Sequence, residues 1–410
     1  MGSTGSHIPQ ELLTIVEAHR TVAKDLWLPN ISNFEQWRSN CDCDQMKIAL
    51  IRRQFDAVGG AELYLQRLLG TLATAGHEIH LFAESWAAVS LQATLHRMPM
   101  EGTRSQRPLR FAQSVQAVLA QESFDCVFSL ERTLKQDVYR AGDGLHRVWL
   151  QQRRRFAPWW KKPFIGCGAF HRNMLALEAQ TFNPANTRRI IVNSEMVRRE
   201  ILENFSFPAE RIHLVRNGVD VARCRSGNRA STRTRFGVRD DEFLLLFAGS
   251  GWERKGLAFV LAALRKLGSP RIKLLVAGKG KRPCCAPANA IFAGPMPNLE
   301  DAYAAADLFV FPPIYEPSAN VCFEALAAGL PVVTSACNGA AEIIEPDING
   351  TVLQNPADIG ALVEAIRYWQ ARPTARPVPL KADLSIERNV RETLAVLELA
   401  ASERAAEVAQ

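Results

Sequence analysis

Leu308-Phe-Val-Phe-Pro-Pro-Ile-Tyr-Glu-Pro-Ser-Ala-Asn-Val-Cys-Phe-Glu-Ala-Leu-Ala-Ala-Gly-Leu-Pro-Val-Val-Thr-Ser335 is the stretch that decides the fold. Leu308 to Phe311 is a short apolar run that reads as a buried strand, and Pro312-Pro313 ends it. Apolar residues then recur at helical spacing from Val321 to Ala328, Gly329 and Pro331 stop that helix, and Val332 to Ser335 is a second strand. Strand, loop, helix and strand in this order form the crossover unit of a parallel sheet.

The same alternation extends outward. Upstream lie a strand at Phe243 to Ala248, a helix at Gly256 to Leu267 and a strand at Ile272 to Ala277. Nearer the start, strand Lys47 to Ile51, helix Ala61 to Ala75 and strand His77 to Ala83 open a second set. It continues with helix Leu109 to Gln121, strand Phe124 to Ser129, strand Arg189 to Asn193 and helix Glu195 to Asn204. Two doubly wound α/β lobes are expected, at 46–225 and 226–385, with residues 1–45 as an appendage and the arginine-rich stretch Arg223 to Arg239 as the linker.

A chain of 410 residues agrees with two domains, and 47% apolar against 22% charged residues is an ordinary globular balance. No apolar run approaches the roughly 18 residues that cross a bilayer, and the first twenty residues lack a signal-peptide pattern, so a cytoplasmic protein is expected. Nine cysteines without C-x2-C spacing point to neither a disulfide framework nor a zinc site. The formal charge of +7 calls for an anionic partner without choosing among nucleic acid, a membrane surface and a phosphorylated substrate.

Three stretches carry candidate chemistry. Glu316 on its loop and Glu324 in the opening turns of the helix both face the carboxyl ends of the strands, where open α/β sheets bind ligands. Between them the amides of Ser318, Ala319, Asn320 and Val321 start a helix, which favours an anion. On the residues alone, a solvated Glu316 and a Glu324 that merely suits a helix start stand as an equal alternative. Gly249-Ser-Gly-Trp-Glu-Arg-Lys-Gly256 is a glycine-bearing turn whose Arg254 and Lys255 fit either a phosphate pair or a solvated basic surface. Gly59-Gly60, also at a helix start, lacks the spacing of a dinucleotide fingerprint.

Glu316-Pro-Ser-Ala-Asn-Val-Cys-Phe-Glu324 resembles the E-x7-E signature of the retaining glycosyltransferases of family 4. Val192-Asn-Ser194, Asn217-Gly-Val-Asp220, Ala304-Ala-Ala-Asp-Leu-Phe-Val310 and Asn338-Gly-Ala-Ala-Glu342 extend the likeness from Met46 to about residue 365. The resemblance implies the GT-B fold, in which two Rossmann-like lobes face a cleft and a final helix, here 386–405, crosses back to the first lobe. It implies that Glu316 and the following amides hold the donor sugar, Glu324 the ribose hydroxyls, and Arg254 with Lys255 the diphosphate, while Gly59 and Gly60 approach from the acceptor-side lobe. Glu316, Arg254 and Lys255 are the expected catalytic set. The implied donor is a nucleoside diphosphate sugar, UDP-glucose above all, with no metal and no other cofactor. Asp42-Cys-Asp44, the sole D-x-D, lies outside the likeness and reads as a surface turn. Two departures stand out: Ser250 replaces the family's usual arginine, and Lys281 to Ala290 is too short for the helix usual there.

On the acceptor side, residues 140–172 hold eight Lys or Arg against one acid, Asp143. Trp149, Arg153, Arg154, Arg155, Trp159, Trp160, Lys161 and Lys162 interleave aromatic and basic groups as the headgroup zone of an anionic membrane requires. Nucleic-acid stacking would use the same residue types, and a solvated face is the bland alternative. Ala141-Gly-Asp-Gly-Leu-His146 resembles the transferases that add glucose to heptose in the lipopolysaccharide inner core, which gives Asp143 or His146 the task of orienting or deprotonating the acceptor hydroxyl. The expected partners are thus a nucleotide sugar, an anionic glycolipid and the inner-membrane surface, with no nucleic acid. An epimerase or phosphorylase of the same fold, or a basic binding protein on a transferase scaffold, remain the alternatives.

Overall fold

The computed structural model describes residues 45–55, 60–86, 93–372, 377–380 and 382–409. The expected appendage and Gly59 lie outside the described residues, apart from Gln45, and Gly60 opens a helix that runs to Thr74.

The first half contains β1 (Lys47–Ile51), β2 (Gln54–Phe55), β3 (Glu78–Ala83), β4 (Ser85–Trp86), β5 (Thr94–Arg97), β6 (Cys126–Ser129), β7 (Gln136–Arg140), β8 (Thr187–Val192) and β9 (Ile212–Leu214). Apart from β2 and β4, which pair with each other, they form one sheet in the order β5-β3-β1-β6-β7-β8-β9. The second half contains β10 (Phe243–Ala248), β11 (Ile272–Ala277), β12 (Ala290–Gly294), β13 (Leu308–Phe311), β14 (Val332–Ser335) and β15 (Gly350–Leu353), in the order β12-β11-β10-β13-β14-β15. Neighbours in both sheets run parallel. Their central strands are apolar runs because helices cover both faces: Leu244 to Ala248 and Leu308 to Phe311 have no appreciable exposure. In each sheet the strand order reverses at one point, between β1 and β6 and between β10 and β13, and the loops beyond those strands open a crevice.

The last helix, Ile386–Val408, returns to the first sheet as expected. Ser385 caps it by accepting from the Arg388 amide at 3.3 Å. It packs against β6, β7 and β8, where Arg404 meets Asp137 at 2.8 Å and Arg188 and Arg189 pair with Glu407 and Glu403.

Arg223 to Arg239, expected as the linker, lies between the strands of the two sheets and is partly helical, with Val221–Cys224 ending in it and Arg229–Arg235 within it. Arg233 is only 2% exposed and donates to the carbonyls of Ala305, Arg239 and Glu242. A guanidinium with five donors becomes a core group when carbonyls surround it, so a polar sequence hid a packed segment. The basic stretch after β7, read above without elements, forms the helices His146–Phe156 and Ala169–Thr181 with a 3-10 turn, Trp159–Phe164, between them. The helix missing from the Lys281 to Ala290 segment is absent in the structure too.

Candidate active site

The loop after β13 is built on an asparagine. Buried Asn338 accepts from the amides of Ala319 at 3.2 Å and Ala340 at 3.1 Å and donates to Thr334 Oγ1 at 2.9 Å. Main-chain bonds from Glu316 N to Cys337 O and from Gly339 N to Glu316 O, both 2.9 Å, fasten the acid's backbone to the same turn. Of the four amides expected to serve a ligand, Ser318 to Val321, that of Ala319 is bonded to Asn338. Asn320 and Val321 still open the Asn320–Ala327 helix, whose first amides have no partner within it.

Glu316 lies where the turn after β10 meets this loop. Arg254 donates from Nη2 to Glu316 Oε1 at 2.8 Å and from Nε to the Tyr315 carbonyl at 3.0 Å. Arg254 and Lys255 belong to a helical turn of their own, Trp252–Lys255, between Gly251 and Gly256, rather than to the loop before a helix. Lys255 lies across Phe311, with Nζ 5.6 Å from the ring centroid, and against Gly249. Burial lowers its pKa, and the Glu316 charge opposes that shift. Two buried oxygens here have no hydrogen-bond partner: Glu316 Oε2 and Ser318 Oγ. Leaving such groups unpaired costs roughly 1–3 kcal/mol each, which marks the spot as one shaped for polar ligand groups.

Glu324 is held apart from that pair. Its Oε2 accepts from the Tyr303 hydroxyl at 2.7 Å, and burial raises its carboxyl above the usual range, with that bond acting in the opposite sense. Asn320, one helical turn earlier, accepts from Asn217 Nδ2 at 2.6 Å, and Asn217 in turn accepts from Arg140 at 2.8 Å.

Further contacts tie the first lobe to this loop and to the turn after β14. Tyr315, 1% exposed, donates to Glu200 Oε2 at 2.8 Å and accepts from the Leu145 amide at 2.9 Å. Ser194 Oγ donates to the Pro317 carbonyl at 2.7 Å. Glu342 accepts from the amides of Glu195 and Met196, capping that helix from the other lobe. Gly144, at φ +65°, presses against Tyr315 and Pro317 so closely that any Cβ would collide with both. Asp143 is thus exposed on a turn beside the loop of Glu316, whereas His146 is the first residue of a helix, its Nε2 2.9 Å from His171 Nδ1.

The expected membrane set separates into two groups. Trp159, Trp160 and Phe164 are 79%, 56% and 76% exposed beside Lys161 and Lys162. Trp149 departs from that set: it stacks on Tyr315 at 6.4 Å and lies under the Arg254 guanidinium, so the lobe junction covers it. Arg154 is bound to the Ile165 carbonyl at 3.1 and 2.7 Å, and Arg153 approaches Glu253 at 3.5 Å. Among the described residues, no helix is long and apolar enough to cross a membrane. One His/Glu cluster, His80, His96 and Glu122, sits at the amino ends of β1 and β3, opposite the crevice, where His80 bonds His96 at 2.8 Å and Lys47 pairs with Glu122.

Sequence reasoning missed Tyr315, Tyr303, Glu200 and His171. An isolated tyrosine or glutamate carries no spacing signal, and each acquires its task from a partner far away in the chain.

A family model described as Glycosyltransferase Family 4 matches residues 58–223, and one described as Glycosyl transferases group 1 matches residues 242–371. The lipopolysaccharide glucosyltransferase WaaG of Escherichia coli (strain K12) is 25% identical over 339 residues, covering 78% of this chain and 89% of WaaG. The crystal structure of WaaG superposes with a TM-score of 0.68 at 24% identity, over 88% of this chain and 99% of that one. The Anabaena protein HepE, solved with UDP and glucose, superposes with a TM-score of 0.61 at 17% identity, over 89% and 99% of the two chains. Fold and loops together define a two-lobed glycosyltransferase of the GT-B type. Both halves of the chain match glycosyltransferase models, and the chain as a whole resembles WaaG.

Proposed function

We propose that the protein transfers glucose, with retention of configuration, from UDP-glucose to a phosphorylated, membrane-anchored glycolipid of the lipopolysaccharide-core type. The observation that carries this reading is the pair of unpartnered buried oxygens, Glu316 Oε2 and Ser318 Oγ, beside Arg254 and Lys255. A sugar supplies hydroxyls for the oxygens, and a diphosphate supplies charge for the cations. The C1–O bond to the diphosphate breaks, the acceptor oxygen bonds C1 on the same face, and its proton leaves with the nucleoside diphosphate. Arg254, Lys255 and the open amides of the Asn320–Ala327 helix meet the charge that develops on the leaving group, and one such donor is worth about 3 kcal/mol. Glu324, with its second oxygen beside a buried tyrosine, takes the ribose hydroxyls.

The choice of UDP and glucose draws on the printed names of WaaG and of the HepE complex. Docking on an anionic bilayer through Trp159 to Phe164 draws on the exposed rings and lysines. The test is a panel of nucleotide sugars read by thermal stabilisation, followed by transfer to deacylated and intact glycolipid. Stabilisation by UDP-glucose above GDP- and ADP-sugars is expected, and none by any nucleotide sugar would refute the reading.

A further inference from the structure

His146 is held in place by Glu178 and His171. Its main-chain amide and that of Arg147 are held by the buried Glu178 carboxylate, and its ring is bonded to His171, with centroids 5.1 Å apart. Burial, aided by the nearby Arg132 charge, pushes its pKa down to about 4. His171 stands one step farther out, on the first turn of the Ala169–Thr181 helix. With Nδ1 given to His146, it lines an open surface cavity of about 510 Å³ together with Phe170, Thr103, Arg104 and Ser105.

We infer that this cavity binds a sugar residue of the glycolipid acceptor, with Phe170 beneath the ring and His171 bonding its hydroxyls. The inference rests on the transferase reading above and adds the place where the acceptor is held. Phe170 is 38% exposed, and such an aromatic face beside hydroxyl and imidazole groups matches a sugar, which has an apolar C–H face and a polar edge. Among the described residues that line it, Arg104 is the one arginine or lysine, enough for a single anionic substituent but too few for a nucleotide or nucleic-acid strand. Position argues the same way. Phe170 follows the exposed Trp159–Phe164 turn by only six positions, and His171 is bonded to His146, the neighbour of Leu145, whose amide meets Tyr315 on the loop of Glu316. A headgroup anchored at the turn would pass the cavity on its way to the donor. His146 is a positioning residue: it fixes the ring plane of His171.

The experiment uses the full-length protein and two probes: a phosphorylated oligosaccharide released from lipopolysaccharide by deacylation, and the same oligosaccharide after phosphatase treatment. Phe170→Ala and His171→Gln should each weaken binding of both probes about tenfold while UDP affinity stays unchanged. Arg104→Glu, on an exposed turn, should weaken only the phosphorylated probe, and it keeps the test open should the helix variants unfold. His146→Ala should raise the acceptor KM with the donor KM unchanged, and His146→Gln, which still reaches His171 Nδ1, should restore it. Wild-type affinity for both probes in Phe170→Ala, His171→Gln and Arg104→Glu overturns the inference and leaves the transferase reading intact. Failure of the wild-type protein to bind UDP overturns that reading instead, while loss of oligosaccharide binding in the variants would still uphold the cavity as a saccharide site.

Discussion

The Tyr315 hydroxyl donates to the Glu200 carboxylate at 2.8 Å, from the loop after β13 in the second lobe to a helix of the first. The same hydroxyl accepts from the Leu145 amide, so one oxygen joins the turn carrying Asp143 to the residue before Glu316. Replacing Tyr315 by Phe leaves that amide and carboxyl unpaired in a buried place and should cost about 1–3 kcal/mol of stability. Denaturant unfolding measures it. Gly144→Ala, strained by its positive φ and blocked by Tyr315, should be worse, and equal stability of all three proteins would show that the junction opens in solution.

Glu200 gives the junction a pH dependence of known sign. Burial pushes its carboxyl up to about 7, against the opposing effect of the Tyr315 bond. The unfolded chain loses this proton at the ordinary carboxylate pKa, so between there and about 7 the folded state holds more protons and stability falls as pH rises. Glu200→Gln removes that slope. Relative to wild type, the variant should gain on the order of 2 kcal/mol between pH 5 and pH 8, and a loss over the same interval would contradict the assignment.

Under the roles proposed above, Glu316→Ala should lower turnover far more than UDP affinity, whereas Glu324→Ala should mainly weaken UDP binding. Direct titration of UDP beside single-turnover rates separates the two. Matching losses of affinity in both variants would sink the division of roles.

A chelator should leave the transfer rate unchanged, since Arg254, Lys255 and helix amides are assigned the leaving diphosphate. Recovery of a chelator-abolished rate on adding magnesium or manganese would show that these groups do not suffice.

Membrane docking should require both halves of the exposed turn. Trp159, Trp160 and Phe164 to Ser, or Arg155, Lys161 and Lys162 to Gln, should each reduce sedimentation with anionic vesicles, and binding should weaken as salt rises. Arg154 is left in place because it holds the Ile165 carbonyl. Undiminished sedimentation of the Gln variant would assign the turn to another purpose.

The sheets were legible because parallel strands buried on both faces are continuous apolar runs, as in Phe243 to Ala248 and Leu308 to Phe311. Glu316 and Glu324 were legible through their spacing on one loop and one helix. What the sequence hid were pairings whose members lie far apart in the chain: Tyr315 with Glu200, Tyr303 with Glu324, His146 with His171. Arg233 was misread for a related reason, since nothing in an arginine-rich stretch tells which guanidinium will be enclosed by carbonyls.

The returning helix has a consequence for how the chain is made. Ile386–Val408 lays Leu394, Val396, Leu397 and Ala400 against strands that left the ribosome long before, β8 having ended at Val192. The second sheet, by contrast, needs only residues between Phe243 and Leu353, all of which emerge earlier than that helix. The half synthesised first is therefore the half finished last. A nascent chain carries an uncovered apolar floor from the completion of its first sheet until Ile386 emerges, and ribosomes stalled between Leu353 and Ile386 would release a polypeptide with a complete second sheet and a first sheet in need of a chaperone.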